Sequence, residues 1–89
     1  MKLLITGGSG FIGTNLVDYA RSMGNVEILN LDIKEPLKRD QNHFWRSADI
    51  MDCGVMLEKV REFEPTHVIH LAARTDCDEL TTVDTGYAV

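Results

Sequence analysis

The sequence predicts an α/β protein in which helices flank a parallel sheet. Short apolar runs that suit buried strands alternate with longer segments whose apolar residues recur every three or four positions. The order along the chain is strand, helix, strand, strand, helix, strand. Because crossovers between parallel strands are right-handed, this order predicts a sheet with the strand order 3-2-1-4.

The first half of the chain contains two predicted strands and one predicted helix. Lys2–Thr6 is a short apolar run that glycines end, which indicates a buried strand. Residues 11–23 have helical periodicity, and Gly24 after them is a typical helix end. Residues 26–32 form the second predicted strand, and the polar residues 33–42 a loop or one irregular turn. The predicted buried face of the helix consists of Ile12, Leu16, Ala20 and Met23.

The second half repeats the pattern. Residues 43–48 suit a third strand, and residues 67–73 a fourth. Between them, Asp52 is the predicted N-cap of a helix over Cys53–Phe63, and Pro65 lies just beyond the end of that helix. The predicted apolar face of this second helix consists of Val55, Met56, Val60 and Phe63.

Length and composition exclude several classes of protein. At 89 residues the chain forms one domain at most, and its net charge of −5 argues against a nucleic-acid partner. No segment approaches the roughly 18 apolar residues of a membrane span, and the apolar run after Lys2 is too short for a signal peptide. We therefore expect a cytoplasmic protein with no membrane partner. Cys53 and Cys77 lie 24 residues apart without a C-x-x-C pair, so we expect no metal site.

Three glycines follow the first strand at intervals of three: Gly7, Gly10 and Gly13. Glycines placed between a strand and a helix are typical of Rossmann-type folds that bind dinucleotides. Gly7 would allow the tight turn, Gly10 the approach of a pyrophosphate, and Gly13 close packing of the helix on the sheet. The start of the helix would present free N–H groups to the phosphates. A glycine-rich turn without a ligand is the alternative.

Asp32 ends the second strand, 19 residues after Gly13. An acidic residue at about 20 positions from the glycines binds the ribose hydroxyls of NAD, and its charge repels the 2′-phosphate of NADP. We therefore expect NAD as the cofactor and NADP less readily, with an Asp that only caps a turn as the alternative. Lys34, Lys38 and Arg39 follow closely and could soften this preference, although a solvated loop is the simpler interpretation.

Four short motifs occur in order along the chain: TGGSGFIG at residues 6–13, Asp32, the pair Asp49 and Ile50, and HLAA at residues 70–73. Together they resemble the extended short-chain dehydrogenase/reductase family. This is the group of NAD-dependent epimerases and dehydratases, which act mostly on nucleotide sugars. The resemblance implies a Rossmann-type fold, hydride transfer through NAD and a nucleotide-sugar substrate for the parent enzyme.

The resemblance also implies roles for individual residues. Phe11 and Ile12 match the cofactor loop between its glycines. Ile33 would lie beside the adenine, Asp49 would accept a hydrogen bond from the adenine amino group, and Ile50 would pack on the ring. The remaining implied cofactor contacts, at the end of the fourth strand and just after it, are Leu71, Ala72, Ala73 and Arg74.

The family's catalytic pair, Tyr-x-x-x-Lys, has no counterpart in this chain. Tyr19 has Met23 four residues later, and Tyr87 has only two residues after it. We therefore expect residues 1–89 to be the N-terminal part of an NAD(P)-binding Rossmann domain, with no substrate domain and no catalytic residue. Such a chain would be inactive alone and would leave an open sheet edge, with a homodimer as the candidate assembly. A non-catalytic NAD(P)-sensing module and an inert truncated fragment are the two alternatives.

Overall fold

The structure is a computed structural model that describes residues 1–71. Its elements occur in the predicted order, with one addition, a 3₁₀ helix before the third strand. They are β1 at Lys2–Thr6, α1 at Phe11–Ser22, β2 at Glu27–Asp32, the 3₁₀ helix at Arg39–Phe44, β3 at Trp45–Ser47, α2 at Cys53–Phe63 and β4 at His67–His70. The predicted fourth strand was longer; Ala72 and Ala73 lie outside the described residues. Within residues 1–71, neither helix is long and apolar enough to cross a bilayer.

The strands form a parallel sheet in the order β3-β2-β1-β4, which confirms the predicted topology. Leu4 in the centre of β1 pairs with Leu29 of β2 on one side and with Val68 of β4 on the other. Because all strands run the same way, their carboxyl ends lie along one edge of the sheet. Thr6 and Asp32 end neighbouring strands at this edge, and the segments that follow them lie side by side.

Two apolar clusters cover the two faces of the sheet, because successive residues of a strand point to opposite faces. Leu3 and Ile5 of β1 pack with α1, whereas Leu4 packs with α2. The buried members on the α1 side are Leu3, Ile5, Val17, Ala20 and Ile28. The buried members on the α2 side are Leu4, Leu31, Ala48, Met56, Val60 and Val68.

The predicted buried face of each helix is confirmed in part: Ala20 of α1 and Met56 and Val60 of α2 are buried. Ile12 and Met23 of the predicted α1 face are 68% and 51% exposed, and the buried stripe runs instead through Gly13 and Val17. The reason is that Gly13 packs against Gly8 in the turn after β1, so the helix is turned toward its smallest residue rather than toward its larger apolar ones. In α2, Met56 is buried as expected, but Val55 lies toward solvent.

The start of α2 agrees with the prediction. Asp52 is the N-cap, and its carboxylate accepts a hydrogen bond from the Val55 N–H at 3.2 Å. Glu64 ends the helix in the left-handed region, at a φ of 52°. The N-cap and the bounds of the helix therefore confirm the prediction, whereas the left-handed residue at its end was not predicted.

The segment predicted as a loop is held against α1 by side chains of the 3₁₀ helix. Gln41 is 2% exposed, and its amide nitrogen donates to the Thr14 carbonyl at 3.0 Å and to the Asp18 carboxylate at 2.8 Å. Lys38 donates to the other oxygen of Asp18. These hydrogen bonds, the one from Lys38 first, lower the pKa of Asp18, and the same contact with Asp18 raises the pKa of Lys38.

The ion pair between Asp18 and Lys38 gives a prediction for stability at acid pH. Since the pKa of Asp18 is lowered from its usual 3.8, the pair should stabilise the fold above this pH and lose its effect as the pH falls below it. Urea unfolding of the wild type and of Asp18→Asn should therefore differ at neutral pH and converge below pH 3.8. Lys38→Met should weaken the acid dependence. A difference that persists unchanged below that pH would contradict the assignment.

Candidate nucleotide-binding site

The turn after β1 depends on Gly7. Its φ is 74°, in the left-handed region that favours glycine, and its N–H donates to the Leu31 carbonyl at 2.9 Å. The chain therefore turns sharply at the carboxyl end of β1 while it remains hydrogen-bonded to β2. The turn predicted for Gly7 is confirmed.

The glycines that follow have two different functions in the fold. A Cβ at Gly13 would lie 2.4 Å from the Gly8 Cα, and a Cβ at Gly8 would lie 2.5 Å from the Asn30 Oδ1. Neither position has room for a side chain, so Gly13 allows the close packing that was predicted. A Cβ at Gly10 would instead find its nearest neighbour, the Gly7 carbonyl oxygen, at 4.0 Å. The backbone at Gly10 is thus open to an approaching group.

Asn30 holds the glycine loop in place, and the sequence analysis missed it. Its side-chain oxygen accepts from the Gly8 N–H at 2.8 Å, and its side-chain nitrogen donates to the Ser9 hydroxyl at 3.1 Å. Asn30 is 2% exposed and lies on the same strand face as Asp32, two residues later. The available signal was the amide side chain within the otherwise apolar run of β2.

Asp32 is held by backbone groups on both sides. One carboxylate oxygen accepts from the Ser9 N–H and the other from the Lys34 N–H, each at 3.1 Å. Its carbonyl accepts from the Trp45 indole N–H at 2.8 Å. A carboxylate has about four lone-pair sites, so each oxygen can still accept a hydrogen bond from a ligand hydroxyl. The carboxylate is therefore oriented and still able to bind.

The first turns of the two helices differ. At α2, the Asp52 side chain caps the first turn. At α1, the N-cap is Gly10, which offers no side-chain cap, and the first turn contains no acidic residue. The unpaired N–H groups and partial positive charge of a helix start favour an anion. Of the two helix starts, that of α1 is open to a phosphate, whereas that of α2 is capped by Asp52.

Two cavities meet at the glycine loop and share Gly7 and Gly10. The larger, of about 500 Å³, lies over the ends of β1 and β2, and the smaller, of about 280 Å³, lies over the start of α1. The larger is lined by Gly7, Ser9, Gly10, Asp32, Ile33, Lys34, Ala48, Asp49 and Ile50. The smaller is lined by Gly7, Gly10, Phe11, Ile12, Gly13 and Leu71.

All the predicted site residues within the described range line one of these two cavities. Ile33 is 64% exposed and Ile50 is half-buried, so both present apolar surface to the larger cavity. Asp49 is fixed by a hydrogen bond that its carboxylate accepts from the Met51 N–H at 2.9 Å. The predicted contacts Ala72, Ala73 and Arg74 lie outside the described residues. Among residues 1–71, no cluster of three or more His, Cys, Asp or Glu side chains could hold a metal ion.

Comparison with known proteins identifies the family. The model described as NAD dependent epimerase/dehydratase family matches residues 3–88. This chain belongs to the NAD-dependent epimerase/dehydratase family. The expected membership of the extended short-chain dehydrogenase/reductase group is thereby confirmed.

Individual members of the family resemble the chain over most of its length. A probable dTDP-glucose 4,6-dehydratase of Sinorhizobium fredii is 38% identical over 91 residues, which cover 92% of this chain and 26% of the relative. The dTDP-glucose 4,6-dehydratase of Bacillus anthracis, solved in complex with NAD, has a TM-score of 0.72 and 27% identity over 83% of this chain and 27% of its own. The UDP-glucose 4-epimerase of Thermotoga maritima, solved with UDP-glucose, has a TM-score of 0.71 and 31% identity over 83% of this chain and 25% of its own. The chain thus spans about a quarter of the length of these epimerases and dehydratases.

The two kinds of glycine give a paired prediction. Gly13→Ala should destabilise the fold by about 1–3 kcal/mol, because the new methyl group would force α1 away from Gly8. Gly10→Ala should cost less, about 1 kcal/mol at most, because its Cβ meets only the Gly7 carbonyl oxygen at 4.0 Å and the loss is that of alanine as a poorer N-cap. Denaturant unfolding of both variants measures this. Equal losses of stability would show that the contact of Gly13 with Gly8 is unimportant.

Proposed function

We propose that the chain forms the NAD-binding portion of a nucleotide-sugar epimerase or dehydratase. The observation that carries the proposal is that an uncapped helix start, an open backbone at Gly10 and an oriented carboxylate at Asp32 all border connected cavities. These groups have the chemistry of a pyrophosphate site and a ribose site. The family match and the relative solved with NAD support the same cofactor.

The described residues have the chemistry to bind the adenosine and pyrophosphate parts of NAD. The pyrophosphate would bind where Gly10 leaves room, against the first N–H groups of α1. The adenosine ribose would bind Asp32, whose negative charge would oppose the 2′-phosphate of NADP and so favour NAD. The adenine would bind between Ile33 and Ile50, with Asp49 accepting from its amino group. Leu71 would border the nicotinamide half, followed by the predicted contacts Ala72, Ala73 and Arg74.

Bound NAD would supply hydride transfer, as in the epimerases and dehydratases of this family. The described residues bind and orient the cofactor, and none of them is assigned an acid or base role. We propose that the 89-residue chain alone does not turn over a substrate, because neither Tyr19 nor Tyr87 is followed by a lysine four positions later. A nucleotide-sugar substrate belongs to the parent enzyme. This proposal includes a cytoplasmic location and a homodimer as the candidate assembly.

A non-catalytic module that binds NAD(P) is a second candidate. The uncapped start of α1 and the oriented carboxylate of Asp32 support it equally, because binding alone needs no catalytic pair. Both candidates need a functional dinucleotide site, so a test of cofactor binding separates them from an inert fragment. Since a ligand that binds only the folded state stabilises it, NAD should raise the melting temperature. No rise at saturating NAD would leave the inert fragment.

The ribose assignment can be tested at Asp32. Asp32→Ala removes the carboxylate that would accept from the ribose hydroxyls, and charge-assisted hydrogen bonds are worth about 1.5–3 kcal/mol each. The dissociation constant for NAD should therefore rise by at least about tenfold in isothermal titration calorimetry. Arg39→Ala, in the exposed segment after β2, is the control and should change the constant less than about twofold. Equal affinities of Asp32→Ala and the wild type would refute the assignment.

The absence of catalysis is tested separately with the purified chain. Incubation with NAD and either UDP-glucose or dTDP-glucose should produce neither reduced nicotinamide nor an altered sugar, because no acid or base is assigned. Chromatography of the nucleotide sugars and the absorbance of the reduced cofactor provide the readouts. Turnover of either substrate would contradict the inactive state and point to a catalytic residue among the 89.

A further inference from the structure

The segment between β2 and β3 contains three basic residues, of which Lys34 lines the larger cavity. Lys34, Lys38 and Arg39 all follow Asp32 within seven positions. Dinucleotide-binding folds use cations at this point to accept the 2′-phosphate of NADP. The positions of the positive charges in this segment therefore affect the choice between NAD and NADP, in addition to the effect of the Asp32 carboxylate.

The ammonium of Lys38 is held on α1. It donates to Asp18, which stands eight residues after Gly10. Eight residues of helix correspond to about 12 Å along the axis, so the pair lies more than two turns from the phosphate end of α1. Lys34, in contrast, lines the larger cavity beside Asp32. Of these two lysines, only Lys34 is in position to meet a 2′-phosphate.

The partner of Lys38 is itself fixed in place. The second carboxylate oxygen of Asp18 accepts from Gln41, which is 2% exposed and also donates to the Thr14 carbonyl. Thr14 in turn donates to the Gly10 carbonyl through both its N–H and its hydroxyl. The carboxylate that holds Lys38 is thus connected to the first turn of α1 by an unbroken series of hydrogen bonds.

We propose that Asp18 determines cofactor specificity from outside the site, by holding the Lys38 ammonium on α1 and away from the ribose 2′ position. Asp18 acts through Lys38 and is a positioning residue. The inference rests on the proposed NAD site, and it adds a second cause for the preference for NAD over NADP. Asp32 would repel the 2′-phosphate, and Asp18 would keep the ammonium of Lys38 from attracting it.

The variant Asp18→Asn tests this with little disturbance of the fold. The amide keeps an oxygen that can accept from Gln41, but it no longer attracts Lys38 by charge. The freed ammonium belongs to the segment that borders the ribose site, where it should attract a 2′-phosphate. An exposed charge pair of this kind is worth about fivefold in affinity. The dissociation constant for NADP should fall by about that factor, while the constant for NAD stays within about twofold.

Two matched variants separate this effect from a general change of charge. Asp40→Asn removes an equal negative charge from the same surface, where Asp40 pairs with Arg21, and should leave the affinity for NADP at the wild-type value. The double variant Asp18→Asn, Lys38→Met should return the affinity for NADP to the wild-type value, because the freed ammonium is then missing. The dissociation constants of the wild type and the three variants for NAD and NADP are measured by calorimetric titration. The weaker of the two ligands is measured by competition with the stronger one.

Each outcome supports or overturns the proposal that Asp18 holds Lys38 away from the ribose site. An unchanged NADP constant in Asp18→Asn, with NAD still bound by the wild type, overturns this inference and leaves the proposed function intact. Equal gains in Asp18→Asn and Asp40→Asn also overturn it. If the wild type binds neither cofactor, the proposed function fails and this inference with it. Should Asp18→Asn fail to fold, Lys38→Met alone provides the test. It should leave the dissociation constant for NADP unchanged, and a loss of NADP affinity would overturn the inference, because Lys38 would then already reach the phosphate in the wild type.

Discussion

The contact between Gly13 and Gly8 is the constraint on which the site depends. With no side chain on either residue, the first turn of α1 lies against the loop that leaves β1. This contact places an uncapped helix start next to the carboxyl ends of β1 and β2 and turns Val17 and Ala20 into the core. The same small residues therefore determine both how the helix packs and where an anion can bind. Asn30 completes the arrangement, because its buried amide fixes the loop at Gly8 and Ser9.

Much of the fold could be predicted from local chemistry. The apolar runs, the handedness of crossovers and the cap at Asp52 depend on short-range rules, and the strand order and the bounds of α2 followed from them. The buried face of α1 followed only in part, because helical periodicity favours large apolar residues such as Ile12 and Met23. The contact of Gly13 with Gly8 outweighs them, and it depends on a loop that helical periodicity does not reveal. The 3₁₀ helix was missed for a related reason, since Gln41 is polar and its burial depends on acceptors far along the chain.

For the site, the sequence motifs predicted the residues that line the cavities. They did not predict the residues whose hydrogen bonds fix the segments around these cavities. The glycines and Asp32 occur at the spacing that is typical of dinucleotide-binding folds, so the sequence alone indicates their function. Asn30, Gln41 and Asp18 have no such spacing, because their partners are set by the packing of separate elements. The predicted cofactor contacts within residues 1–71 all lie at or follow the carboxyl ends of the four parallel strands, which explains why short motifs spread along the chain line two neighbouring cavities.

The hydrogen bond between the Trp45 indole and Asp32 places a fluorescent side chain next to the predicted ribose contact. Trp45 is the only tryptophan among the 89 residues, and its N–H is bonded to the backbone carbonyl of Asp32. Its half-buried ring lies at the start of β3, between solvent and the end of β2. The emission of a tryptophan depends on the polarity around its ring and on the hydrogen bond that its N–H makes. The chain thus contains a single tryptophan bonded to the residue that would bind the ribose, and a change of its emission on addition of NAD would report binding in the unlabelled protein.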